Sequence, residues 1–139
     1  MRGKANSTLI ALAIAAGSVM FSTPAASAAA ASFYCDSSGY TALNVPMQRC
    51  TSLSNGVLYV LQASNGNVTT GYDKTGGSAI SAQLGYSRGG TSHYAGAISI
   101  SSGQNKSHTW SLSESSYCTS TIGLLTYSGG TYQTPSSHC

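Results

Sequence analysis

From residue 32 onward apolar positions recur at every second residue, in short runs closed by glycine, asparagine or serine. That period marks half-buried strands, and no window of the region shows apolar residues at helical spacing with caps. Residues 56–63 (GVLYVLQA) are apolar on both faces and predict a central strand, with Val57, Tyr59 and Leu61 on one side and Leu58 and Val60 on the other. Ser64-Asn65-Gly66-Asn67 predicts a hairpin turn, because Asn-Gly tolerates the positive φ angles of tight turns. The return strand covers residues 68–73 and ends at Lys74-Thr75-Gly76-Gly77. In residues 78–86, Ile80, Ala82, Leu84 and Tyr86 share a face. After the Arg88-Gly89-Gly90 turn, residues 93–100 place Tyr94, Gly96, Ile98 and Ile100 on the buried side. Further strands are expected over residues 107–112, with His108, Trp110 and Leu112 aligned, and over 121–127 and 131–134.

This pattern predicts an all-β chain: a small disulfide-stapled β-sandwich, or a small barrel, of about seven or eight short antiparallel strands. Tyr59, Tyr86 and Tyr94 belong to its core, and Trp110 anchors it.

The first residues differ in kind. Arg2 and Lys4 precede an uncharged run of 13 residues from Leu9 to Phe21, followed by the small-residue site Ala26-Ser27-Ala28. This is the pattern of a secretory signal peptide over residues 1–28, removed on export. As a helix the run would span about 20 Å against roughly 30 Å of hydrocarbon, so it exports without anchoring. A secreted, extracellular product of a single domain, residues 29–139, is expected, with cleavage after Ala30 as the alternative. No membrane anchor is expected.

All four cysteines lie beyond that leader, and an even count in an exported chain reads as two disulfides. An internal echo orders them. Tyr34-Cys35, small polar residues and Gly39 lead to Pro46-Met47-Gln48-Arg49-Cys50, and Tyr117-Cys118, small polar residues and Gly123 lead to Pro135-Ser136-Ser137-His138-Cys139. The echo predicts local bridges, Cys35 with Cys50 and Cys118 with Cys139. Loop entropy alone favours a Cys35–Cys118 bridge, at about 4.5 against about 3 kcal/mol.

Charge narrows the chemistry. The full chain has a net charge of +3, but two of its six basic side chains sit in the leader, leaving four against three acids. Arg49, Lys74, Arg88 and Lys106 are scattered singly, so nucleic acid is not an expected partner. Acid–base catalysis has only Asp36, Asp73, Glu114 and three histidines to draw on, and Asp73 and Glu114 read as solvated turn residues. No Gly-x-Ser-x-Gly elbow occurs, and His93, His108 and His138 lack the short spacings of a zinc site. No cofactor or metal is expected.

Two features suggest interaction. Nine tyrosines lie beyond the leader, and Tyr40, Tyr72, Tyr127 and Tyr132 stand beside Gly/Ser turns, where they are expected to form an exposed ligand-binding group at one end. Pro46, Met47, Gln48 and Arg49 form a proline-stiffened segment closed by a cysteine, the form of a substrate-like inhibitor loop. The expected function is a non-enzymatic binding module whose partner is an extracellular glycan, a cell surface or a secreted protein. A secreted protease inhibitor using the Met47 loop, or an antimicrobial factor of the bacteriocin kind, are the alternatives.

Overall fold

The computed structural model describes residues 33–139, and the expected signal peptide lies outside them. Nine strands run in the order β1 Gln48–Leu53, β2 Gly56–Gln62, β3 Val68–Lys74, β4 Ile80–Arg88, β5 Thr91–Tyr94, β6 Ile98–Ile100, β7 Gln104–Trp110, β8 Ile122–Tyr127 and β9 Gly130–Gln133. They form two antiparallel sheets, one ordered β1-β2-β3-β7, the other β5-β4-β8-β9 with β6 also paired to β4. The sandwich is therefore realised, and no closed barrel forms among the described residues. A single 3₁₀ turn, Glu114–Ser116, follows β7.

Alternation decides which side chains meet between the sheets. Leu58 and Tyr72 of the first sheet pack on Ala82, Leu84, Ile100 and Leu125 of the second, and Val60, Val68 and Tyr86 continue the layer. Trp110 touches both groups and joins them, as the sequence anticipates. Gly66 adopts φ 88° in the Asn-Gly turn between β2 and β3, a conformation that disfavours any other residue.

The bridges are the local ones, Cys35–Cys50 and Cys118–Cys139, with Cα separations of 5.8 and 4.8 Å. The first ties β1 to the amino-terminal segment. The second ties the end of the chain to the loop before β8, where a buried polar plug seals the sandwich. Gln62 Nε2 donates to the carbonyls of Thr119 and Ser137, and Arg88 donates to Thr121 Oγ1 at 2.7 Å and to Gln62 Oε1 at 3.3 Å. Burial lowers the pKa of the Arg88 guanidinium, with the nearby Tyr86 hydroxyl acting in the opposite sense.

Two expectations change. Residues 93–100 are not one strand: the chain leaves the sheet at Ala95–Ala97, and β5 and β6 pair with different parts of β4. The break shifts the alternation by one residue, which sends every side chain before it to the other face. His93 consequently shares the side of Tyr86 and stacks on it at 4.8 Å between ring centroids, at the exposed margin of the sheet. Tyr94, expected in the core, turns outward and is 42% exposed. Secondly, Gln48–Leu53 forms an edge strand, ahead of the first strand expected at residue 56.

Candidate functional site

Of the four turn-side tyrosines, the fold gathers three and separates the fourth. Tyr72 is 2% exposed, because it faces Leu58 across the β2–β3 pair and so points between the sheets. It is a core residue and not a surface contact. Tyr127 and Tyr132 pack against the same cluster and stack on each other, 5.3 Å between centroids at 17°. The Tyr127 hydroxyl donates to Tyr132 Oη, which donates to the Gly129 carbonyl, both at 3.2 Å. That bond, then burial, pushes the Tyr127 pKa up to about 12. Burial also raises the Tyr72 pKa, helped by the neighbouring Tyr132 and Asp73 charges. With their rings face to face and their hydroxyls bonded, Tyr127 and Tyr132 close one end of the core beside the buried Tyr72. Tyr40 lies elsewhere, half-buried, with the Arg49 guanidinium 4.1 Å from its ring centroid.

In the segment Pro46-Met47-Gln48-Arg49, Pro46 stays exposed, but the Met47 and Arg49 side chains are turned onto the protein, unlike the expected presented loop. Met47 is 8% exposed, and its Sδ lies 3.6 Å from the Cys139 sulfur. Arg49 Nε donates to the Gly39 carbonyl at 2.9 Å, and its Nη atoms donate to the carbonyls of Ser38 and Ser136. Gln48 Oε1 accepts from Thr41 Oγ1, and the Pro46 carbonyl accepts from His138 N. Neither Met47 nor Arg49 is free to enter a partner's pocket, because entry into β1 fixes both side chains against the protein.

An open aromatic surface lies on the outer face of the second sheet, where Tyr94 is 42% exposed; Tyr34, at 60%, stands apart from it beside the first disulfide. Tyr94 on β5 stands opposite Gly85 on β4, and a Cβ on Gly85 would lie 2.6 Å from Tyr94 Cδ1. A strand glycine thus leaves the space the ring occupies. The ring crosses β4 and brings its hydroxyl within 3.4 Å of Thr126 Oγ1 on β8. Thr126 in turn bonds Thr131 Oγ1 on β9 at 3.2 Å, and Gln83 Nε2 donates to the Ala95 carbonyl at 3.1 Å beside the ring. By register, the residues sharing this face are Ser81, Gln83 and Ser87 on β4, Ser92 on β5, Ser99 on β6, Ile122 and Leu124 on β8, and Gln133 on β9. None carries a charge.

The first sheet repeats this construction on its own outer face. Tyr59 on β2 stands opposite Gly71 on β3, its ring occupies the space of a Gly71 side chain, and its hydroxyl donates to Asn105 Oδ1 on β7 at 2.7 Å. Here the ring is covered. Phe33 stacks on it at 4.1 Å and 8°, and Tyr59 is only 6% exposed. Burial raises the Tyr59 pKa, with the bond to Asn105 drawing it partly back.

A second aromatic row runs along the open side of the sandwich, from His93 through Tyr86 and Trp110 to His108, with neighbouring centroids 4.8, 5.0 and 4.5 Å apart. It borders a pocket of about 200 Å³ lined by Leu84, Ala95–Ile98, Ser107 and His108. The fold therefore brings two of the three histidines into one row. Among the described residues no group of three or more His, Cys, Asp or Glu side chains converges. Asp36 Oδ1 accepts from the Ser38 and Tyr40 amides, Asp73 accepts from the Phe33 amide, and Glu114 lies exposed in the 3₁₀ turn.

The signal for the Tyr94 face was present in the sequence as Gly71 and Gly85, each inside a strand where a packed side chain would be usual. Compared with protein-family models, curated proteins and solved structures, this chain matches none.

Proposed function

We propose that this protein is an exported, non-enzymatic binding module that holds a neutral glycan on the outer face of its second sheet. One observation carries the reading: Tyr94 is built into its sheet as Tyr59 is, yet it is 42% exposed and no aromatic ring among the described residues stacks on it. A ring packed on glycine keeps one face against the backbone and offers the other, at a low cost in conformational entropy because it is already held. Pyranose rings present C–H faces to such a surface and hydroxyls around their edge. The surrounding Ser, Thr and Gln side chains match those hydroxyls in both donor and acceptor sense. The lack of charge on the face favours an uncharged saccharide over an anionic one.

Export is supported by the leader pattern and by two disulfides, which persist in oxidising compartments. No helix among the described residues is long and apolar enough to cross a membrane.

Affinity electrophoresis and pull-down on insoluble and soluble neutral polysaccharides test the proposal, with the Tyr94→Ala variant alongside. Retention on at least one neutral polysaccharide is expected, weakened about tenfold or more by the variant, the equivalent of about 1.4 kcal/mol. Retention that is equal in Tyr94→Ala, or found only on charged polymers, refutes it.

A further inference from the structure

Asp73 is the feature of this fold that its own side chains leave incomplete. The residue is 3% exposed on the outer face of the first sheet, where among the described residues its carboxylate accepts one hydrogen bond, from Phe33 N at 2.5 Å. Buried carboxylates are ordinarily matched by a cation, since desolvation of the charge is otherwise uncompensated. Among the described residues the basic groups are used elsewhere. Lys74 follows Asp73 along β3 and so points to the opposite face, its Nζ donating to the Gly76 carbonyl. Arg49 and Arg88 are bonded to carbonyls and to polar side chains at other ends of the sandwich. Lys106 stands opposite Tyr72, on the inner side of its sheet.

The group that does reach Asp73 is the backbone nitrogen of Phe33, and Phe33 is fixed there by its stack on Tyr59. We infer that Phe33 is the amino-terminal residue of the processed protein, and that its α-ammonium is the missing cation for Asp73. The step is hydrolysis of the Ser32–Phe33 peptide bond. Water adds its oxygen to the Ser32 carbonyl carbon, the C–N bond breaks, and the nitrogen leaves with Phe33 as a free amine that is protonated at neutral pH.

The sequence permits this cut. Small residues occupy the positions one and three before the scissile bond after every residue from Ala28 to Ser32, so the leader pattern alone does not choose among five sites. Contact with Asp73 distinguishes them, because only on Phe33 does the ammonium sit at the nitrogen that already reaches the carboxylate. An ammonium on Ala29 stands up to about 13 Å of extended chain from the Phe33 nitrogen, beyond the Debye length of about 8 Å at physiological salt. On Phe33 it is in contact, and a charge-assisted bond replaces a neutral one. The inference rests on the export reading above but not on the glycan, which would occupy the other sheet.

The test is to express the full chain in a secreting host and take the intact mass and amino-terminal sequence of the exported product. The expected sequence begins Phe33-Tyr34-Cys35. A product beginning at Ala29 or Ala31 overturns the inference while leaving export intact, whereas an uncleaved chain retained in the cell overturns export itself. The ion pair has its own readout. Acylation of the α-amine by an activated ester at neutral pH is expected to be about tenfold or more slower in the folded protein than in the urea-unfolded one, and Asp73→Asn is expected to restore most of that rate. Equal rates in the wild type and in a folded Asp73→Asn variant overturn the pairing.

Discussion

Tyr59 and Tyr94 are the same construction made twice, and they differ in one respect. Each ring lies across a strand glycine on the outer face of its sheet and reaches a side chain on the next strand, two residues along from the glycine's own partner. Tyr59 is covered by Phe33 and is part of the fold's interior. Tyr94 has no such cover among the described residues and stays 42% exposed. The comparison separates two contributions that are usually entangled in an aromatic on a sheet. Filling the glycine's space is structural, and both rings do it. What lies above the ring determines whether it stabilises the protein or is available to something else.

The largest expected difference lies in removing the rings. Tyr59→Ala deletes a buried aromatic, leaves Asn105 without its donor and strips Phe33 of its support, so a loss of about 3–4 kcal/mol is expected. Tyr94→Ala removes a ring already open to water on one side and a long, exposed hydrogen bond, for less than about 1 kcal/mol. Urea unfolding midpoints at constant slope measure both. Comparable losses would mean that Tyr94 is a structural residue, and would remove the reason for treating its face as a binding surface.

The contrast between the two rings also shows what the sequence made legible. The sandwich, the Asn-Gly hairpin and the local cysteine pairing are written in short-range patterns: period-two alternation, a two-residue turn signal and an echo between the two ends of the chain. Tyr59 was placed on the right side of its strand because residues 56–63 carry their alternation without interruption, although its burial comes from Phe33 on the outer face and not from the layer between the sheets. Tyr94 was not, because Ala95-Gly96-Ala97 has no polarity to mark where the chain leaves the sheet, and a shift of one residue reverses the face. Tyr72 looks exposed by its nearness to a turn, yet β3 continues to Lys74 and its register against Leu58 buries it. Exposure near a turn depends on how the second sheet packs, and no local pattern encodes that. The inward path of Met47 and Arg49 likewise follows from contacts with Cys139, Gly39 and Ser136, most of them distant in sequence.

A smaller difference is expected from filling the glycines. A Cβ on Gly71 runs into Cζ and Oη of Tyr59, a ring pinned between Phe33 and the bond to Asn105, so Gly71→Ala is expected to cost about 2–3 kcal/mol. On Gly85 the added Cβ would lie 2.6 Å from both the His93 carbonyl oxygen and Tyr94 Cδ1. Because the ring can swing into solvent, only the backbone contact must be absorbed, and about 1–2 kcal/mol is expected. The functional order is reversed: Gly85→Ala displaces the proposed platform and is expected to lower glycan retention, while Gly71→Ala is expected to leave it unchanged in the folded fraction. A Gly85→Ala protein that retains full binding would break the link between the glycine and the presented ring.

The smallest effect is a pH dependence confined to the covered ring. Burial holds the Tyr59 hydroxyl above its ordinary pKa of 10.0, so above that value the folded protein keeps a proton that the unfolded chain has released. Its contribution to stability is then complete below pH 10.0 and is lost as pH rises through the folded-state pKa, so it adds to the alkaline decline of the unfolding midpoint. Tyr59→Phe is expected to make that decline shallower, since no proton remains to be held. Phe33→Ala provides the sharper comparison, because it leaves the hydroxyl and its bond to Asn105 in place while readmitting water above the ring. If Phe33 is what separates the two tyrosines, Phe33→Ala reduces the alkaline decline in the same direction as Tyr59→Phe and brings Tyr59 closer to the condition of Tyr94. If midpoints measured from neutral pH to about pH 11 fall as steeply in Phe33→Ala as in the wild type, the burial of Tyr59 comes from its own sheet, and the cover does not account for the contrast.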